Sequence, residues 1–186
     1  MDLNKLRDRA YKTACEHGFH EKEYSDAHWL MLVITEIAEA VQADRNNLHA
    51  DLDYFRVIKT QCDDSYFGSL FEQCVKDSVE DELADVIIRL LDFAGMRNID
   101  LSKLSEKLNE RYYKLCLNCS ENENFSEMMY DITKCICIEE NIKYKIYDAI
   151  GCVFSVAYHH HIDLFQHIEW KMRYNELRPR LNGKEY

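Results

Sequence analysis

The sequence predicts an all-α protein, a helical bundle, and two features carry that prediction. Only 5 Gly and 1 Pro occur among 186 residues, so the chain is poor in the residues that break helices and form tight turns. Several segments also have the apolar pattern of helices, such as residues 2–17, which place their apolar side chains on one helical side. A chain of this length can bury a sizeable core, and we expect a single domain, residues 1–186.

The first half of the chain, residues 1–118, contains recognisable helix ends. Gly18 is a typical residue after a helix C-terminus, Ser25 can cap the next helix, and Asp100 can cap a later one. The sequence Asp-Asp-Ser-Tyr at 63–66 predicts a break. The helices predicted for this half cover residues 2–17, 26–45, 51–60, 69–97 and 101–117.

The second half, residues 119–186, is predicted to begin with a polar linker at 120–124 and to end in an irregular tail. The order helix, Ile-Asp-Leu, helix occurs twice, around Ile99 and again around Ile162. This similarity suggests a degenerate internal duplication, and chance likeness of two amphipathic helix pairs is the alternative. The helices predicted for this half cover residues 126–140, 143–160 and 163–177.

Two predicted helices each carry two carboxylates three residues apart in a largely apolar stretch. Glu36 and Glu39 lie on the first, and Glu82 and Asp85 on the second. This spacing places each pair on one helical face, and a helix that is apolar around most of its circumference is buried. The four buried carboxylates would repel one another unless protons or a hard divalent cation, Mg²⁺ or Mn²⁺, neutralised them. Two ordinary helices whose acids face water are the alternative.

In the proposed second copy most of these carboxylates are missing. Asp131-x-x-Lys134, or a neighbouring register, stands in place of the first acidic pair, and Lys145 stands in place of Glu82. Of the second acidic pair, Asp148 keeps a carboxylate at the position of Asp85. We therefore expect one metal site in each chain, in residues 1–118.

The double acidic pattern in an all-helical chain resembles the all-α nucleoside triphosphate pyrophosphohydrolases, the MazG-like proteins and the dimeric dUTPase relatives. The closing segment, residues 171–184, is similar to the end of some MazG-like proteins. The resemblance covers residues 25–118 and the last 20 residues. The spacer between the acidic pairs is longer than is usual in that family, so residues 44–78 are expected to be an insertion.

The resemblance implies Mg²⁺-dependent hydrolysis of a nucleoside triphosphate to a nucleoside monophosphate and pyrophosphate, with Mn²⁺ as a possible substitute. Glu36, Glu39, Glu82 and Asp85 would hold the cation, and Glu39 or Glu36 would accept a proton from water. A basic turn that only complements the helix dipole is the alternative for the cationic C-terminal residues, and a core position is the alternative for Trp29. The residues expected to bind the substrate are Trp29, Arg89, Lys171, Asn175, Arg178 and Lys184.

The amino-acid composition restricts the classes of binding partner and the cellular setting that we expect. A net charge of -11 disfavours DNA and RNA, which bind basic surfaces. Neither a signal peptide nor an apolar run long enough for a bilayer is evident, so the 8 Cys are expected to be reduced in a cytoplasm. The predicted partner is a nucleoside triphosphate. A homodimer is also expected as a possibility, because small helical domains with apolar faces often associate.

Three further possibilities were weighed from the sequence. Cys116, Cys119, Cys135 and Cys137 lack usual zinc-finger spacing and are expected to be core residues. A carboxylate-bridged di-iron site needs Glu-x-x-His, and no His follows Glu36 or Glu82 at that spacing. The alternative function is that of a catalytically silent nucleotide-binding or helical assembly protein that has kept the fold.

Overall fold

The computed structural model describes residues 2–60, 63–109 and 124–183, and these residues form nine α-helices, one 3-10 turn and no strand. The predicted all-α helical bundle is therefore confirmed. The helices are α1 Leu3–Glu16, α2 Asp26–Arg45, α3 Leu52–Lys59, α4 Asp64–Cys74, α5 Val79–Met96, α6 Ser102–Asn109, α7 Phe125–Ile138, α8 Ile142–His159 and α9 Leu164–Leu177, followed by the 3-10 turn Arg180–Gly183.

Helix α5 is the centre of the bundle, because it packs against α1, α2, α8 and α9. It is apolar around most of its circumference, and Leu83, Ile87 and Leu90 have no exposed surface. The crossing with α1 is close at Gly95, where a Cβ atom would lie 2.5 Å from Cβ of Tyr11. Only glycine fits there, and this close approach brings α1 beside the polar residues of α5.

Helix starts follow the polar caps of the sequence. As predicted, Ser25 caps α2, accepting a hydrogen bond from the backbone N–H of His28. The carboxylate of Asp100 accepts a hydrogen bond at 3.1 Å from the N–H of Ser102, the first residue of α6. The remainder of the helix predicted over 101–117, and most of the linker at 120–124, lie outside the described residues.

The prediction of one long helix over 69–97 is wrong, because two helices occupy this segment. Asp63, placed in a predicted break, caps α4, and α4 ends at Cys74. The α4–α5 turn, residues 75–78, follows, and Asp77 there adopts a left-handed φ of 63°. Ser78 then starts α5 by accepting a hydrogen bond at 3.2 Å from the N–H of Asp81.

Helices α3 and α4, which lie in the predicted insertion, pack against each other, and α4 packs against α9. The ring of Phe55 on α3 also contacts that of Trp170 on α9. Together the three helices bury a second apolar cluster, separate from the main core. Its aromatic members are Phe55, Phe67, Phe71, Trp170 and Tyr174. The insertion is thus an α-helical hairpin fastened to α9.

The second half has the three helices that the sequence predicts, α7, α8 and α9. The turns after α5 and α8 share one hydrogen bond, from Ile99 N to Ala94 O and from Ile162 N to Ala157 O, each 2.8 Å. The ends of α1 and α2 make the same bond, at Phe19 and Leu48. Because this helix ending is general in the molecule, it does not decide whether the halves are copies.

The cysteines that were predicted to be core residues differ in their exposure. Cys137 is exposed, so its prediction as a core residue is wrong, whereas Cys135 is partly buried with its Sγ atom 4.0 Å from that of Cys152. Cys116 and Cys119 lie outside the described residues.

In the described parts of the chain, every helix is too short or too polar to cross a membrane.

Candidate metal and phosphate site

A cleft of about 230 Å³ between α1, α2, α5 and α9 collects most of the predicted site residues. The α4–α5 turn contributes the remainder of one side. Acidic and basic side chains share its wall with apolar ones, so the cleft suits a ligand with both charged and apolar parts. The predicted residues that line it are Glu36, Glu39, Glu82, Asp85, Arg89, Lys171, Asn175 and Arg178.

Three carboxylates in the cleft form what we call the acidic triad: Glu36, Glu82 and Asp85. One oxygen from each lies within 4.8 Å of the other two. Burial, followed by the charge of Asp85, raises the pKa of Glu36 to about 7, and the same causes raise the pKa of Glu82 to about 9. The triad is therefore short of positive charge.

The triad fits a hard divalent cation. Oε2 of Glu82 is buried without a hydrogen-bond partner in the described residues, although buried carboxylate oxygens are ordinarily satisfied. All the donors are oxygens, which Mg²⁺ and Mn²⁺ prefer. A second group of carboxylates, Asp77, Asp81 and Glu82, meets the same 4.8 Å limit and shares Glu82 with the triad.

Lys171 is the principal cation beside the triad. Its Nζ atom lies 2.7 Å from Oδ2 of Asp85 and 2.7 Å from Oδ2 of Asp81. Burial lowers the pKa of this lysine, but the two carboxylates outweigh burial, so the net direction is upward and the lysine stays charged. Asp81 was not predicted as a site residue, although its four-residue spacing from Asp85 places both on one face of α5.

Arginines and one amide complete the polar wall. Nε of Arg89 donates a hydrogen bond at 3.0 Å to Oε1 of Glu36, and Arg178 lies over the ring of Tyr174, 5.5 Å from its centroid. The side-chain oxygen of Asn175 is buried and has no partner among the described residues. These groups place positive charge and hydrogen-bonding capacity beside the triad.

Asp92, part of the same polar stripe as Glu82, Asp85 and Arg89, also lines the cleft. His20 Nε2 lies 2.7 Å from its Oδ1. Burial is the main cause that raises the pKa of Asp92, and the hydrogen bond to His20 opposes it. Asp92, the last residue of this polar stripe along α5, thus has a partner, His20, that was not predicted from the sequence.

Two predicted residues, Glu39 and Trp29, are placed differently from the prediction. The expectation that Glu39 is buried is wrong: it is exposed on α2 and lies outside the triad, because the cleft opens there. Trp29 belongs to the core and stacks on His20 at 4.7 Å, so it does not line the cleft. Lys184 lies outside the described residues.

Aromatic lining comes instead from the loop after α1. Phe19 and His17 line the cleft, and the guanidinium of Arg89 lies 5.9 Å from the centre of the Phe19 ring. His17 bridges two backbone carbonyls, those of Thr13 at 2.8 Å and Arg178 at 2.9 Å. No pattern in the sequence singles out these loop residues, because only the packing of α1 on α5 brings them to the triad.

Compared with protein-family models, curated proteins and solved structures, the chain matches none of them.

Proposed function

We propose that this protein is a Mg²⁺-dependent hydrolase that converts a nucleoside triphosphate to a nucleoside monophosphate and pyrophosphate. One observation carries the proposal: a triad of carboxylates, one with a buried oxygen that has no partner among the described residues, faces a cleft whose wall also contains Arg89, Lys171 and Arg178. Acids alone would repel a triphosphate, and cations alone would not hold a divalent ion. Their combination suits the complex of Mg²⁺ with a polyphosphate.

Glu36, Glu82 and Asp85 would hold the cation, and Mn²⁺ would substitute for Mg²⁺. When bound, such an ion supplies positive charge to phosphate oxygens and lowers the pKa of water in the site. The role of these three side chains is to fix its position, because all lie on two helices packed against each other.

The other side chains of the cleft would complete the chemistry. Lys171 and Arg178 would bind phosphate oxygens, since charge-assisted hydrogen bonds to phosphate are strong. Glu39 lies on the cleft wall but outside the triad, so it is the carboxylate that we assign to accept a proton from the attacking water. Ala10, Ala14 and Phe19 form an apolar wall against which the nucleoside would lie.

A second candidate function is nucleotide binding without hydrolysis, and Lys171 favours it. Its ammonium group already contacts both Asp81 and Asp85, so each of these carboxylates has a cationic partner without any metal. A protein that has kept the fold but lost catalysis would have such an internal ion pair.

The test is release of pyrophosphate from a panel of nucleoside triphosphates in Mg²⁺, with and without a chelator. We expect release from at least one triphosphate, and loss of release in the chelator and in Asp85→Asn. The matched control is Asp148→Asn, an exposed aspartate at the corresponding position of α8, which should keep full activity. Nucleotide binding without any pyrophosphate release would favour the second candidate.

The cellular setting belongs to the same proposal. We place the protein in a reducing cytoplasm, where its thiols would stay unpaired. We also propose that two copies can form a homodimer. Size-exclusion chromatography with light scattering measures this oligomeric state directly.

A further inference from the structure

The α4–α5 turn brings to the cleft a lysine that no sequence pattern selects. Lys76 lines the cleft together with the acidic triad, Lys171 and Arg178. It belongs to the segment 44–78, which is longer here than the resemblance would require. A cation from the hairpin therefore faces the same space as the cations of α9.

The position of Lys76 is fixed by the backbone. The N–H groups of Val75 and Lys76 both donate to the carbonyl of Phe71 at 2.9 Å. The N–H of Asp77 donates at 3.0 Å to Oδ2 of Asp81, the oxygen that Lys171 also contacts. The turn is thus tied directly to the buried ion pair of the site.

The hairpin is also fastened at its other end. The N–H of Asp51 donates at 2.8 Å to the carbonyl of Cys74, and the N–H of Ala50 donates at 3.1 Å to Oε2 of Glu80 on α5. On its inner face Phe71 stacks on Tyr174 of α9 with ring centres 4.6 Å apart. The Nζ atom of Lys171 lies 5.6 Å from the centre of the Phe71 ring, so one aromatic residue of the hairpin contacts the central lysine of the site.

Among the described residues, three cations that line the cleft have carboxylate partners: Lys76, Arg89 and Lys171. Lys76 is held least firmly of the three. Arg89 and Lys171 are paired with Glu36, Asp81 and Asp85, which are largely buried. Lys76 pairs with Asp77, whose side chain is 68% exposed, and such exposed pairs are weak. A phosphate group can replace Asp77 as its partner at little cost.

We propose that Lys76 is a phosphate-binding residue of the cleft and that the α3–α4 hairpin holds it there. The identity of the ligand, a Mg²⁺-bound polyphosphate, rests on the proposed function. The hairpin is then part of the binding site, because the turn that follows it carries a cation into the cleft that the cations of α9 also line.

The probe is inorganic tripolyphosphate in Mg²⁺, titrated calorimetrically into the full chain. We expect Lys76→Met to weaken binding about 10-fold or more and to reduce its dependence on salt concentration, because a charged hydrogen bond is lost. Lys76→Arg should restore binding to within about 3-fold of the wild type. Lys134→Met is the matched control: this lysine also pairs with an aspartate, Asp131 at 2.6 Å, and is 44% exposed on α7 outside the cleft.

Binding by Lys76→Met equal to wild type would overturn the inference, and so would Lys76→Arg as weak as Lys76→Met, since charge would then not matter. Circular dichroism of each variant establishes that the helices are intact. If the wild type binds tripolyphosphate through Lys76 but hydrolyses no triphosphate, the inference stands and the proposed hydrolysis fails. If the wild type binds no tripolyphosphate, both are overturned.

Discussion

Helix pairs α2–α5 and α7–α8 contribute to the same apolar core but treat buried charge in opposite ways. At the first pair, Glu82 is 5% exposed and one of its oxygens has no described partner. At the second, Lys145, which the suggested duplication would align with Glu82, is 8% exposed and donates its Nζ hydrogen bond to the carbonyl of Ile136. One buried ionisable group is satisfied by the protein itself, and the other has an oxygen without a partner among the described residues.

This difference bears on which of the two groups a ligand could stabilise. A buried ionisable group with a hydrogen-bonded partner needs no ligand, whereas one without a partner carries a desolvation cost that a ligand can relieve. The remaining carboxylate of α8, Asp148, is exposed and needs no cation. The comparison is thus the physical reason to expect a metal at the first helix pair and none at the second.

The largest expected effect is on catalysis. Glu82→Gln should reduce Mg²⁺-dependent hydrolysis to background, because an amide cannot replace a charged ligand of a hard cation. Lys145→Met, the matched change in the second helix pair, should keep kcat/KM within a few-fold of wild type. Steady-state kinetics on a good substrate decides, and equal activity of the two variants would break the distinction between the helix pairs.

The next effect concerns the stability of two ion pairs on α9. Lys171→Met should lower the free energy of unfolding by about 3–5 kcal/mol, because it leaves Asp81 without its buried partner. Arg173→Met removes the exposed pair with Asp64 and should cost at most about 1 kcal/mol. Urea titrations measure both, and similar losses would mean that burial does not distinguish the pairs.

In the absence of metal, Glu82→Gln should stabilise the protein. The pKa of Glu82 is about 9 in the folded protein and 4.5 in a free side chain, so above pH 4.5 the unfolded chain releases a proton that the folded state retains. The unfolding free energy of the wild type therefore falls as pH rises from 4.5 to 9, and the variant avoids this loss, by about 3 kcal/mol at pH 7.

Urea titrations in a chelator, at pH 4 and pH 7, measure this gain. At pH 4 both states of the wild type hold the proton, so the two proteins should differ little, which provides an internal control. A variant that is less stable at pH 7, or a difference independent of pH, would contradict the expectation.

The smallest of these effects is on substrate affinity. Arg178→Ala should raise the Michaelis constant or lower the turnover number. The change in kcat/KM should be equivalent to about 1.5–3 kcal/mol, the value of one charged hydrogen bond. Arg173→Ala on the neighbouring surface is the control and should leave the kinetics unchanged. Wild-type kinetics for Arg178→Ala would make that residue structural.

How far the fold followed from sequence depended on local signals. Helices α1, α2, α7, α8 and α9 were predictable because periodic apolar residues and polar caps agree there. The break between α4 and α5 was missed because residues 75–78 contain neither Gly nor Pro, and Asp77 adopts a left-handed conformation that is uncommon for residues other than Gly. Ser78 before Glu80, Asp81 and Glu82 was the available sign of a helix start.

The site followed from sequence only in part, because exposure and partners depend on tertiary packing. Spacing correctly placed Glu36, Glu82 and Asp85 together, but it could not show that Glu39 faces the open side of the cleft. Lys171 was expected near phosphates, yet its contacts with Asp81 and Asp85 arise only when α9 packs on α5. Lys76 and Phe19 come from turns, which carry no periodic pattern.

Binding of Mn²⁺ alone, followed by electron paramagnetic resonance, tests most directly whether the α2–α5 pair is the metal site. We expect Asp85→Asn to weaken Mn²⁺ binding at least about 10-fold, as loss of a ligand should exceed the loss of an outer-shell partner, and Asp148→Asn to bind like wild type. Wild-type affinity in Asp85→Asn, or lost affinity in Asp148→Asn, would contradict the assignment of the metal to the acidic triad.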